Sequence, residues 1–140
     1  MKQHKMLYFD IETNAIDFWP TLAGLKDLHC ISIYDPDART MRSFSSNANN
    51  LAEGVAMLNS ADNICGHNAI NFDAPALRKL GYEITARVVD TKVMSQVMHP
   101  DLFTEDCRRG DEFPKNLRGR HSLKAWGLRL GNEKDDHGAT

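Results

Sequence analysis

Hydrophobic and polar positions change their period several times along this chain, and each change marks an element. Met6-Leu7-Tyr8-Phe9-Asp10-Ile11 is continuously apolar up to an acid. That run predicts a central strand covered on both faces, with its C-terminal end emerging into a cleft. His29 to Tyr34 alternates and predicts a second strand. Asp35-Pro36-Asp37 reads as a turn, and Thr40 to Phe44 as a third strand pairing back in a hairpin. Asn49 or Asn50 can cap a helix in which Leu51, Val55 and Leu58 fall at i, i+4 and i+7. Asn63 to His67 reads as a short buried strand. Ala69 to Leu80 then reads as a helix with Leu77 and Leu80 inward and Gly81 as its stop. Val88-Val89 before Asp90 is a fifth strand, and Thr91 to Met98 a helix ended by Pro100.

From Pro100 to Gly119 the chain is polar, charged and punctuated by Gly and Pro, which predicts a loop. His121 to Leu130 returns to helical spacing through Leu123, Trp126 and Leu130, with Trp126 expected to pack rather than stand free. Asn132 to Thr140 reads as a polar tail. The order β-β-β-α-β-α-β-α, then loop and helix, implies an α/β fold: a mixed five-stranded sheet flanked by helices.

Composition narrows the class of protein. A chain of 140 residues has room for one core, so residues 1–140 are expected to form a single domain. Its 41% hydrophobic and 26% charged residues are ordinary for a water-soluble domain. No apolar run approaches the roughly 20 residues of a membrane helix, and Met1 to Lys5 leads straight into a strand rather than a signal-peptide core. A cytoplasmic protein is expected, with no membrane partner. Cys30, Cys65 and Cys107 are far apart and lack CxxC spacing, so neither a disulfide framework nor a zinc site is indicated. The net charge of −2 argues against a simple electrostatic coat on DNA. It does not argue against clustered carboxylates that recruit cations to meet phosphate.

Two blocks carry candidate chemistry. In Asp10-Ile11-Glu12 the two acids lie two apart on a strand and so project from one face. Neighbouring carboxylates repel unless a cation or proton sits between them. The triplet alone carries little weight, since roughly one chain in two or three of this size contains one by chance. The second block is Gly66-His67-Asn68-Ala69-Ile70-Asn71-Phe72-Asp73, a strand running into a polar turn with Asp73 one turn inside the next helix. Helix capping accounts for Asp73 alone but poorly for the whole string.

Together these blocks resemble the DEDD (DnaQ-like) 3′–5′ exonuclease superfamily. Asp10-Ile11-Glu12-Thr13 looks like its first motif, and Gly66-His67-Asn68 through Asp73 like its second. Asp90-Thr91 resembles the start of the next element. His121-Ser122-Leu123-Lys124-Ala125-Trp126-Gly127-Leu128-Arg129-Leu130-Gly131 is similar to the exonuclease domain of short-tailed-phage family A DNA polymerases. The resemblance runs from about residue 6 to about residue 135, with its blocks in the family's order. It implies an RNase H-like sheet and two-metal hydrolysis of 3′-terminal nucleotides from single-stranded DNA, with Mg²⁺ or Mn²⁺ as cofactor. In that scheme Asp10 bridges both ions, Glu12 binds one and Asp73 the other, two ions about 4 Å apart sharing the attacking and leaving oxygens. Thr13 and Asn68 fall where the family contacts the terminal nucleotide or the scissile phosphate region, and Phe72 reads either as a further substrate contact or as simple helix packing. Asp90 reads as an N-cap at a strand-to-helix junction rather than a ligand. The implied partners are a single-stranded DNA 3′ end and a polymerase domain.

One departure from the family shapes the expectation. Its fourth carboxylate stands on a late helix, in a Tyr-x-x-x-Asp or His-x-x-x-x-Asp arrangement. Asp135 and Asp136 have no such partner before them, His137 follows, and all three read as tail. The chain is therefore expected to be truncated at its C-terminus and feebly active by itself. The alternative is a non-hydrolytic remnant that binds nucleic acid or polymerase, and an exonuclease acting on RNA or short oligonucleotides is a third reading. Arg108, Arg109, Lys115, Arg118, Arg120, Lys124 and Arg129 form either a solvated face or a surface that guides single-stranded DNA or docks the polymerase domain.

Overall fold

Leu7, Phe9 and Ile11 alternate with Tyr8, Asp10 and Glu12 along the first strand, and that alternation organises the fold. The computed structural model describes residues 4–14 and 22–133. The expected tail residues Asp135, Asp136 and His137 lie outside the described residues. The chain divides into two compact units, Met1–Thr91 and Lys92–Thr140.

The first unit is built on the expected mixed five-stranded sheet of an α/β fold. Its strands are β1 (Met6–Thr13), β2 (Leu28–Asp35), β3 (Thr40–Ser45), β4 (Asn63–Gly66) and β5 (Arg87–Asp90), in the order β3-β2-β1-β4-β5. β1, β2 and β3 are joined antiparallel, while β4 and β5 continue the sheet in parallel from β1. The turn after β2 forms as expected, with Asp35 Oδ1 accepting the Asp37 and Ala38 N–H groups. Helix α1 (Leu51–Asn59) packs on β2 and β3 through Val55 and Leu58. Gly54 permits that approach, since a Cβ there would stand 2.9 Å from the Phe44 ring. Asn50 precedes α1, but its side chain does not cap the helix: Oδ1 accepts the Ser45 N–H instead, tying off the end of β3.

β1 is central, yet it is not covered on both faces as its apolar run predicts. Leu7, Phe9 and Ile11 are buried in the core with Ile31, Ile33 and Ile64. Tyr8 remains 43% exposed on the other face, and Tyr34, its partner on β2, is exposed as well. A phenol ring is apolar along the chain but tolerates water at its hydroxyl, so the run Leu-Tyr-Phe reads as continuous while the strand in fact alternates.

In the second unit the expected loop from Pro100 to Gly119 is largely helical. It contains α4 (Leu102–Arg108) and two short 3₁₀ turns, Gly110–Glu112 and Lys115–Leu117. Helix α3 (Thr91–Met98) precedes it, and α5 (Leu123–Leu130) follows, capped by the Ser122 hydroxyl on the Ala125 N–H. The periodicity is missing because one inward position of α4 is an acid. Asp106, buried, pairs with Arg129 of α5 at 2.6 Å and accepts the Gly119 N–H at 2.9 Å. The Arg129 guanidinium lies over the Phe113 and Trp126 rings, 5.3 and 4.8 Å from their centroids. The inward face of α5 is thus Ala125, Trp126 and Arg129, whereas Leu123 and Leu130 are exposed. Trp126 packs as expected and donates its Nε1–H to Ser95 Oγ. Several cations of the basic run are used internally: Arg118 donates to the Gly110 and Phe113 carbonyls and Arg120 to that of Asn116.

Candidate active site

Residues two apart on a strand share a face, so β1 presents Asp10 and Glu12 together, both exposed. Between Glu12 and Thr13 the register with β2 slips: Glu12 faces Cys30, but Thr13 faces Leu28, leaving His29 as an extra residue. A bulge of this kind bends the pair and re-aims the side chains at the strand end. Beyond it, the Thr13 hydroxyl is buried with no hydrogen-bond partner among the described residues.

On the opposite edge β1 pairs with β4 only from Met6 to Tyr8, because β4 ends at Gly66. Asp73 takes up the edge beyond: its Oδ2 accepts the Ile11 N–H at 3.3 Å. The intervening turn explains how it gets there. At Gly66 a Cβ would lie 3.0 Å from the Ala69 Cβ and 3.1 Å from the Phe9 carbonyl oxygen, so the turn leaves β4 hard against β1. Asn68 then takes the left-handed conformation at φ 64°, a region Asn tolerates better than most residues. Ala69–Asp73 wind as one π turn, with the Ala74 N–H reaching back to the Ala69 carbonyl, before α2 (Ala74–Lys79) begins. Single π turns recur at functional sites, where they displace one side chain from the regular helical position. Here the displaced region ends on Asp73.

Asp73 is 3% exposed. Burial pushes its carboxyl up, the charge of Asp10 pushes it further, the Ile11 N–H pulls it back and Asp90 adds to the rise, leaving it at about 7. Asp90 closes β5 opposite Gly66 and is equally buried. Its Oδ1 accepts the Asn68 N–H at 2.9 Å and its Oδ2 the Ile70 N–H at 3.0 Å. The sequence points to a cap at the β5–α3 junction; the tertiary structure gives this carboxylate the turn after β4 to hold. His67 Nδ1 and Thr91 Oγ1 meet at 2.9 Å beside it.

The structure thus brings Asp73 to the backbone between Asp10 and Glu12, with Thr13 at the end of the same strand. Asn68 forms the corner of the turn, and Phe72 is partly buried against the hydrophobic core. Among the described residues, no three His, Cys, Asp or Glu side chains stand together closely enough to hold a metal ion. The donor chemistry nevertheless fits a hard divalent cation: the acids offer only oxygen, and a buried carboxylate beside a second negative charge is what such an ion relieves. Asp90 and Gly66 are the residues that sequence reasoning left without a part in this site. Gly66 opens the block that resembles the second motif, but its place between an apolar strand and a polar turn gives no sign of its close approach to β1.

The fold and site define an α/β domain whose central strand carries two acids and receives a third from the turn after β4. The chain is similar to part of the DNA-directed DNA polymerase of Escherichia phage T7, 31% identical over 144 residues that span 94% of this chain and 20% of that protein. It is similar to the DNA-directed DNA polymerase of Enterobacteria phage T3 at the same identity and coverage. The chain therefore spans about a fifth of the length of the curated relatives it matches. No family model matches it. Among solved structures, the family B DNA polymerase from the hyperthermophilic archaeon Pyrobaculum calidifontis aligns over 91% of this chain and 21% of its own at 14% identity, with a TM-score of 0.49. That likeness is too low to carry function. Among the described residues no helix is long and apolar enough to cross a membrane.

Proposed function

We propose that this domain is a 3′–5′ exonuclease that removes terminal nucleotides from single-stranded DNA, as the proofreading part of a phage-type DNA polymerase, with Mg²⁺ or Mn²⁺ as cofactor. The observation that carries this reading is the Asp73 carboxylate on the Ile11 N–H, between Asp10 and Glu12 on the chain. The order of the motifs and the similarity to two phage DNA polymerases support it. Asp10 would hold both cations, Glu12 one and Asp73 the other. Bound there, the ions would supply positive charge against phosphate and a lowered pKa for water. The chain's own residues do the rest. Thr13 stands at the strand end beyond the two acids, its buried hydroxyl without a hydrogen-bond partner among the described residues, and Asn68 sets the corner from which Asp73 is presented. Phe72 offers the unburied part of its ring to the terminal nucleotide. The partners in this reading are a DNA 3′ end and the polymerase domain.

A second reading is a non-hydrolytic module that binds nucleic acid or polymerase; among the described residues the acids are not gathered into a three-ligand group. A 5′-labelled single-stranded oligonucleotide separates the two. Stepwise shortening from the 3′ end with Mn²⁺, abolished by chelator and by Asp10→Ala, is expected. Tight binding with no shortening would establish the second reading in its place. An RNA oligonucleotide run in parallel decides the substrate class.

A further inference from the structure

Asp90 is a buried acid outside the proposed ligand set, and both of its carboxylate oxygens accept hydrogen bonds. They accept the backbone N–H groups of Asn68 and Ile70, about twenty residues earlier in the chain and across the β4–β5 pair. Those two N–H groups open the turn that ends on Asp73. A short irregular turn has few internal hydrogen bonds with which to fix itself, so its position depends on what its first donors reach. At its far end, Asp73 reaches the Ile11 N–H. A continuous path therefore runs from β5 through the turn to β1: Asp90, the Asn68–Ile70 backbone, the π turn, Asp73, Ile11.

We infer that Asp90 is a positioning residue for Asp73, clamping the start of the π turn so that its last residue meets the edge of β1 between Asp10 and Glu12. The value of the clamp for catalysis rests on the proposed nuclease reading, but the clamp itself does not. Two flanking features fit it. The close approach at Gly66 leaves the turn no room to slide toward β1 on that side. The Thr91 hydroxyl, next to Asp90, faces both His67 and the Gly66 carbonyl, so the end of β5 grips the turn at a further point. An asparagine at position 90 would keep the shape of the side chain but turn one acceptor into a donor facing an N–H, leaving that N–H without its partner.

Amide hydrogen exchange in chelator, with no ion present, tests the clamp. In Asp90→Asn, the Asn68 and Ile70 amides are expected to exchange about tenfold faster or more, and so is that of Ile11, while the β1–β2 ladder stays protected. If Asn68 and Ile70 lose protection and Ile11 keeps it, Asp90 is a local cap and the inference is wrong. Should Asp90→Asn unfold the domain, Ile70→Pro deletes only one of the two donors, at an exposed side chain, and the same loss at Ile11 is expected. The direction is checked by Asp73→Ala, which should expose Ile11 and leave Asn68 and Ile70 protected; loss at all three would overturn the order of dependence. Calorimetric titration with Mn²⁺ adds the functional readout, with affinity expected to fall several-fold in Asp90→Asn, and an unchanged affinity would count against the clamp. A wild-type chain that takes up no Mn²⁺ would sink the nuclease reading and leave the exchange result to decide the clamp by itself.

Discussion

The Asp73 carboxylate sits on the backbone N–H of Ile11, a residue 62 positions away, at 3.3 Å. That single bond does what a further residue of β4 would otherwise do, satisfying the edge of β1 where the parallel ladder has ended. It also sets a buried negative charge beside Asp10, an arrangement unfavourable for folding and apt for binding a cation.

Relieving that crowding should stabilise the domain. In chelator at neutral pH, Asp73→Asn keeps an oxygen for the Ile11 N–H while removing the charge that burial and Asp10 oppose. A gain on the order of 1–3 kcal/mol is expected in urea unfolding. Mn²⁺ should raise the melting temperature of the wild type and not that of the variant. A variant less stable than wild type in chelator would show that the carboxylate is worth more as an acceptor than it costs as a charge.

Asp10 and Glu12 should matter for hydrolysis and little for folding, because both are exposed. Asp10→Ala and Glu12→Ala are each expected to lower Mn²⁺-dependent hydrolysis of a single-stranded oligonucleotide by on the order of 10²–10⁴. Their melting temperatures in chelator should stay within a few degrees of wild type. Undiminished cleavage in either variant would remove that residue from the proposed ligand set.

The second unit should be acid-sensitive through Asp106. Burial pushes its carboxyl up, but the Arg129 hydrogen bonds, the Gly119 N–H and the Arg129 charge outweigh it and hold it below the ordinary carboxylate value. A folded value below the unfolded one gives stability that is present above about pH 4. It is lost as pH falls through the folded value. Asp106→Asn should flatten that limb of the pH–stability profile and cost on the order of 3–5 kcal/mol at neutral pH, since it strands a buried Arg129. Fluorescence of Trp126, which lies against Arg129, follows both effects. An unaltered acid limb in Asp106→Asn would assign the sensitivity to another group.

Gly66→Ala should displace the turn. The added methyl meets a backbone oxygen at 3.1 Å and the Ala69 Cβ at 3.0 Å, neither of which is the free end of a flexible side chain. A loss of about 1–3 kcal/mol is expected, together with faster exchange of the Ile11 amide. A neutral substitution would mean that β1 and the turn can part without disturbing Asp73.

What the sequence determined by itself was periodic or local. All five strands, α1, α3 and the Asp35 turn follow from spacing and turn chemistry. So does the pairing of Asp10 with Glu12 on one face, which needs only a period of two. The tertiary structure decided whatever depends on a distant partner. Tyr8 could be read as covered because hydrophobicity alone does not reveal which face of a central strand meets water. Residues 102–108 could be read as loop because the acid in their buried face becomes tolerable only when Arg129 arrives from α5. Asn50 looked like a helix cap until β3 supplied the Ser45 N–H. In the same way, Asp73 satisfies helix punctuation in sequence and reaches the Ile11 N–H only because β4 stops short of it. Asp90 is a junction acid in sequence, and only the parallel pairing of β5 with β4 puts its oxygens under the turn that carries Asp73. A local pattern fixes the direction in which a side chain leaves the backbone; its charge and its partners are set by elements the chain reaches dozens of residues later.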